Sequence, residues 1–210
     1  HRNYGAQFLE AVDACIEISR TSGSALHLTH CHMSAPVYHD KTELLFERIE
    51  KAEHVGIDIT LDTYPYLAGS TYLHALLPSW AQAGGVDQMA QRLKSAEVRS
   101  RVIDALNKTG SDGNQGGVVN WKIIVVAGVE ASLDLVGLSI EEAANRNQIE
   151  PASFYLDLIA KENYRASCVI FSGHEGNVRS IMQHPKHMVG SDGILTGNRP
   201  HPRSYGTFAR

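Results

Sequence analysis

The sequence predicts an α/β fold: part of an α/β barrel or a doubly wound sheet, with a lid-like insertion. Three observations carry that expectation. Apolar residues alternate over 25–32, recur at helical spacing over 40–55 and alternate again over 57–62, the pattern of a strand, a helix and a strand. The connection between the two strands is long enough to hold a crossover helix, so the strands are expected to run parallel with a right-handed crossover. Residues 73–150 break this rhythm. Without them about 130 residues remain, roughly the second half of a closed (β/α)8 barrel of about 250 residues.

Each element has a local reason. Over 6–20, Phe8, Leu9, Val12, Cys15 and Ile16 lie at helical spacing, and Gly23 stops the helix. In 25–32, Leu26, Leu28, His30 and His32 share one strand face. Asp40 is the expected N-cap of the 40–55 helix, whose apolar side is Leu44, Leu45, Ile49 and Ala52. In 57–62, Ile57, Ile59 and Leu61 oppose Asp58, Thr60 and Asp62, and Tyr64-Pro65-Tyr66 ends the strand. The block 73–150 holds a Gly84-Gly85 turn, a charged helix near 86–107, a polar loop at 109–117, a β-branched run at 122–129 and a helix near 138–147. A helix at 151–163 follows, with Pro151 near its first turn. The remaining elements are a strand at 168–173, a short helix at 176–185 and a last strand at 187–192. The organisation expected is barrel βα units at 1–72, an insertion at 73–150 and the last βα units at 151–210. The chain begins at His1 and stops at Arg210 directly after a motif-dense stretch, so it reads as an excerpt.

Composition excludes several classes of function. The 210 residues are 43% hydrophobic and 20% charged, which is a globular balance. Nineteen basic against 23 acidic side chains leave a formal charge of −4, so nothing draws the chain to nucleic acid or an anionic membrane. No apolar run reaches the length of about 18 residues that a spanning helix needs. Three cysteines, Cys15, Cys31 and Cys168, are an odd and widely spaced set. They argue against a disulfide framework and for a reducing, cytoplasmic setting. Eleven histidines raise the question of a metal.

Chemistry concentrates at strand ends, where parallel α/β proteins build their sites. His30 and His32 follow the first strand, Asp62 and Tyr64 the second, and Asp192 the last. A histidine from one strand and an aspartate from another can share a divalent metal at about 2.0–2.2 Å. A carboxylate beside a metal-bound water can act as general base. Each residue also has a bland role: His30 as a hydrogen-bonded core histidine, Asp62 as a turn cap, Asp192 as an ordinary turn residue. His27 reads as structural and Cys31 as packing, because it points opposite to His30. His184 and His187 flank Pro185 in what reads as a solvated turn, and His39, His54 and His74 show no partner. Neither Ser70 nor Ser191 lies in a G-x-S-x-G elbow. In 190–208, GSDGILTGNRPHPRSYGTF, two prolines bracket His201 and two arginines lie close by. Such a stiff loop can present an arginine to a carboxylate.

Five motifs in order then carry a specific likeness. They are R-N-Y-G at 2–5, L-T-H at 28–30, D-T-Y-P-Y-L-A-G-S-T at 62–71, M-V-G-S-D-G at 188–193 and R-P-H-P-R-S-Y-G-T-F at 199–208. Together they resemble the N-acyl-D-amino-acid deacylases, or D-aminoacylases, of the amidohydrolase superfamily. The resemblance implies a zinc-bearing TIM barrel with an inserted lid, hydrolysing the amide of N-acyl-D-amino acids. It implies His30 as the metal ligand of the fifth barrel strand. Asp192 would bind metal, activate the water and later protonate the leaving amine. Tyr64 would hydrogen-bond the scissile carbonyl, and Ser70 and Arg203 would hold the substrate carboxylate. The family carries Lys at the position of His32, which places His32 at the substrate carboxylate and alters the charge there. The family's fourth-strand metal histidine would precede His1, and its first-strand H-x-H and second-strand cysteine would also lie upstream. The leading expectation is therefore a zinc deacylase of small N-acyl amino acids. A second reading is a catalytically incomplete barrel fragment that self-associates or binds partners through open sheet edges, as a homo-oligomer. A third, a dihydroorotase-like hydrolase, lacks the P-H-P-R loop.

Overall fold

The structure, a computed structural model, describes residues 3–208. In chain order its regular elements are α1 (Phe8–Ser22), β1 (Leu26–Leu28), α2 (Glu43–His54), β2 (Ile59–Thr63), β3 (Gly69–Tyr72), α3 (Ser79–Gln82), α4 (Gly85–Arg92), α5 (Ala96–Asp104), β4 (Ile124–Gly128), α6 (Ile140–Arg146), α7 (Pro151–Lys161), β5 (Ser167–Ile170), α8 (Glu175–Met182) and β6 (His187–Val189). Short 3-10 turns and one π turn link them. No helix among the described residues is long and apolar enough to cross a membrane. The chain divides into two units. One is His1–Ala68 with Ser172–Gly193 and Pro202–Arg210; the other is Gly69–Phe171 with Ile194–His201.

Unit one is built on a parallel sheet of order β1-β2-β6. Burial alternates along β2: Ile59, Leu61 and Thr63 are buried, Thr60 and Asp62 half-buried. The buried face joins Phe8 and Val12 of α1, Leu28 of β1, and Leu45 and Ile49 of α2 in one apolar core. Each such side chain contributes roughly 1.5–3 kcal/mol by leaving water. Gly23 ends α1 at φ 71°, with its N–H on the Ser19 carbonyl at 2.9 Å, a left-handed cap that glycine adopts without strain. Gly190 is required for another reason: a Cβ there would fall 2.4 Å from Asp62 Cγ.

Unit two is built on an antiparallel sheet of order β3-β5-β4. Its core is larger and joins Leu73, Leu77, Val126, Ile140, Tyr155, Leu156, Ile159 and Cys168 among others. Its helices start on clear signals. Ser139 and Glu142 form a reciprocal capping box on α6. Pro151 opens α7, and the Glu150 carboxylate accepts from Ala152 N and Ser153 N.

Several expectations change. β1 ends at Leu28, so His30 and His32 do not continue a strand face; His30 sits in a turn at φ 38°. The cause is local: the Asp62 carboxylate accepts the His30 N–H at 2.6 Å, a side-chain bond that competes with strand pairing. Asp40 is not the cap of α2. Thr42 holds that position, while Asp40 lies at φ 56° with its N–H on Asn177 Oδ1. The 168–173 run is not a strand of the parallel sheet; β5 pairs antiparallel with both β3 and β4. A buried apolar run does not reveal its direction. The charged stretch 86–107 is two helices, since Ser95 caps α5 through the Val98 N–H. His187 is not in a solvated turn but opens β6, and its Nε2 accepts the Thr63 N–H at 3.2 Å. His184 packs its ring 4.5 Å from that of Phe46.

Candidate active site

The polar groups of unit one gather where β1, β2 and β6 end. Asp62, the fourth residue of β2, is the hub. One carboxylate oxygen holds the His30 N–H and the other lies 2.8 Å from His27 Nε2. His27 Nδ1 meets Thr60 Oγ1 at 2.6 Å. The chain then turns at 29–30, and Cys31 N donates to the Asp62 carbonyl at 2.7 Å. Cys31 is buried, and burial pushes its thiol up to about 12. It is packing at neutral pH, as the sequence indicated, not a thiolate.

His30 is contacted by Tyr4, whose hydroxyl makes a short hydrogen bond with Nδ1. Burial raises the Tyr4 phenol well above its ordinary value. Tyr64, Cys31 and Asp192 add to the rise, while Arg203 opposes it. His30 and Asp192 thus both act on one phenol, one by a hydrogen bond and the other through its charge. Sequence reasoning missed Tyr4, although it lies within the R-N-Y-G motif. Arg2 of that motif and His1 lie outside the described residues.

A second set lies on β2's exit and the 190–208 loop. Asp192 adopts φ 48°, a left-handed conformation that Asp tolerates better than most residues. Its carboxylate is 2.9 Å from Arg203 Nη2; the arginine side chain is 1% exposed and the aspartate 36%. The Arg203 guanidinium lies 4.6 Å from the Tyr64 ring centroid and hydrogen-bonds that side chain. Burial raises the Tyr64 phenol, with Arg203 pulling the other way. Tyr64 is therefore a protonated hydrogen-bond donor at neutral pH. His32 packs its ring 4.4 Å from Tyr64, and its Nε2 meets Thr63 Oγ1 at 2.8 Å. Burial, then His30 and Arg203, hold the His32 imidazole down at about 4. A neutral imidazole occupies this position at pH 7. Ser70 belongs to unit two, on β3 opposite Val169.

Imidazole and carboxylate are ligand types that zinc takes. Among the described residues, however, no three His, Cys, Asp or Glu side chains converge to hold a metal ion.

Comparison with known proteins gives this arrangement a context. No family model matches the chain. It is 28% identical over 209 residues to N-acyl-D-glutamate deacylase of Alcaligenes xylosoxydans xylosoxydans, covering all of this chain and 34% of that protein. It is 25% identical over 210 residues to the D-aminoacylase of the same organism, again covering 34% of it. The chain resembles the N-acyl-D-amino-acid deacylases. It spans about a third of the length of these curated relatives. The crystal structure of N-acyl-D-glutamate deacylase from Bordetella bronchiseptica, complexed with zinc and a phosphonate inhibitor that mimics the reaction's tetrahedral intermediate, matches with a TM-score of 0.69 at 23% identity. It covers all of this chain and 35% of that one. This likeness shows the fold: the mixed α/β chain corresponds to part of a deacylase fold.

Proposed function

We propose that this chain is the portion of a zinc-dependent N-acyl-D-amino-acid deacylase that carries the proton-transfer and substrate-orienting groups. The observation that supports it best is the buried Arg203, which pairs with the Asp192 carboxylate at 2.9 Å and lies 4.6 Å from the Tyr64 ring centroid. The parallel strands β1, β2 and β6 would be consecutive members of a TIM-like barrel. The insertion within 73–150 would act as a lid that excludes water. Asp192 takes the proton from the water that attacks the amide carbon. It returns that proton to the nitrogen as the C–N bond breaks, leaving a carboxylate and a free D-amino acid. Tyr64, kept protonated, donates a hydrogen bond to the oxygen that becomes negative. Arg203 binds the substrate carboxylate, and His32 shapes that subsite without adding charge. His30 and Asp192 contribute to the metal site, with further ligands from outside the described residues. Zinc, when bound, polarises the amide and lowers the pKa of its water.

The test is release of free amine from paired N-acetyl-D- and N-acetyl-L-amino acids with zinc present. The proposal expects D-selective release. No release from any N-acyl-D-amino acid contradicts it. A second reading, a catalytically incomplete barrel segment that self-associates, is favoured by the absence of a three-ligand set among the described residues. Sub-stoichiometric zinc together with concentration-dependent association would support it.

A further inference from the structure

Asp62 has no part in the chemistry proposed above, yet its carboxylate joins the segments that carry it. The register of the parallel pair begins the arrangement. His27 of β1 faces Thr60 of β2, and Thr60 and Asp62 share one face of their strand because side chains alternate. His27 therefore lies against both. Its Nδ1 is 2.6 Å from Thr60 Oγ1 and its Nε2 is 2.8 Å from Asp62 Oδ2. A carboxylate only accepts, so Nε2 donates in that bond. The Asp62 side chain is 15% exposed and that of His27 36%. Held at both nitrogens, the ring fixes which way the carboxylate points.

The other oxygen, Oδ1, is turned towards the 29–30 turn, where it accepts the His30 N–H at 2.6 Å. Cys31 N closes the same turn on the Asp62 carbonyl at 2.7 Å. Beside these two bonds His30 adopts φ 38°, a left-handed conformation that persists in a residue with a side chain where its surroundings hold it. That backbone conformation fixes the Cα–Cβ bond and so the direction in which the imidazole leaves the chain. Gly190, two residues before Asp192, closes another side. A Cβ there would fall 2.4 Å from Asp62 Cγ and 2.6 Å from Oδ1. The segment that carries Asp192 thus passes against the same carboxylate, with no room for a larger residue. One side chain meets the approach to both groups on which the proposed hydrolysis depends, His30 and Asp192.

We propose that Asp62 is a positioning residue: its carboxylate, aimed by His27, holds the His30 turn in the conformation that amide hydrolysis uses. The effect on turnover rests on the deacylase reading; the effect on His30 does not. The test compares wild type, Asp62→Ala and Asp62→Asn in the protein that carries this chain. Residue-resolved amide exchange is followed without zinc, and steady-state hydrolysis of N-acetyl-D-amino acids at saturating zinc. Asp62→Ala is expected to lower protection of the His30 amide by about tenfold or more, with protection of Leu26 in β1 unchanged. It is expected to lower kcat by about 10–100-fold with KM within about threefold of wild type. Asp62→Asn keeps an oxygen for the His30 N–H, and His27 can accept from the new amide while donating from Nδ1 to Thr60. Asparagine is therefore expected to restore His30 protection and kcat to within about threefold of wild type. Unchanged His30 protection or an unchanged kcat in a folded Asp62→Ala overturns the proposal, and so does an Asp62→Asn no better than Asp62→Ala. If Leu26 loses protection as well, Asp62→Ala is not properly folded and His27→Ala decides: a fall in both His30 protection and kcat supports the proposal, and either one unchanged overturns it. A wild type that releases no amine contradicts the deacylase reading instead, and the exchange result then decides alone whether Asp62 sets His30.

Discussion

In unit one the sheet ends in buried polar groups. His32, Thr63, Asn177 and Arg203 are all under 9% exposed. In unit two the sheet is packed under an apolar core of leucine, isoleucine, valine and aromatic side chains. Its buried polar groups are mostly serines and helix caps. The contrast separates two uses of burial. Apolar burial is non-directional and stabilises in proportion to area. Polar burial is directional, stabilises little in net terms and persists where geometry matters more than stability. On this reading unit two supplies rigidity and unit one supplies chemistry.

Four changes test or sharpen that contrast, and the largest effect is expected in the core of unit two. Leu156 is fully buried, and Leu156→Ala should lower stability by about 2–5 kcal/mol. Denaturant unfolding measures the loss. Asp192→Asn leaves the Arg203 guanidinium without its carboxylate. Because Asp192 is 36% exposed, the expected loss is only about 1–3 kcal/mol, below that of a fully buried pair; thermal melting would show it. A loss above that of Leu156→Ala would break the contrast. Ser139→Ala removes the Oγ that accepts the Glu142 N–H, one half of the α6 capping box, and leaves the Ser139 N–H on the Glu142 carboxylate; it should cost about 0.5–2 kcal/mol. Faster amide exchange confined to the start of α6 would locate the effect.

The smallest effect is on pH dependence. Burial opposes ionisation of Glu162 and Glu150, but hydrogen bonds from backbone and side-chain donors hold both below their ordinary value of 4.5. The folded carboxyls therefore release protons more readily than the unfolded ones. Their stabilisation is fully present above pH 4.5 and is lost as pH falls through the depressed folded values. Protection of the amides at 130–131 and 152–153, relative to intrinsic exchange, should fall below pH 4.5, and Glu162→Gln should flatten the first response only. A pH-independent protection factor at 130–131 would contradict the role given to Glu162.

Much of unit one was legible in the sequence. The alternation in 57–62 and the helical spacing of α1 and α2 follow directly from side-chain period. The turn at His30 was not legible. It depends on Asp62, 32 residues away, capturing one N–H, and no local pattern encodes that. The antiparallel placement of β5 was hidden for a related reason: Cys168 and Val169 pack equally well in either direction. Tyr4 could have been found only by asking which side chain hydrogen-bonds the ring of a half-buried histidine.

The central claim is that Asp192 transfers the proton in amide hydrolysis. Its most direct test is the rate of N-acyl-D-amino-acid hydrolysis by the protein that carries this chain, wild type against Asp192→Asn, with zinc content and secondary structure matched. The expected result is a fall in kcat of about 10²–10⁴-fold. A folded, zinc-matched Asp192→Asn protein with kcat within threefold of wild type would contradict it.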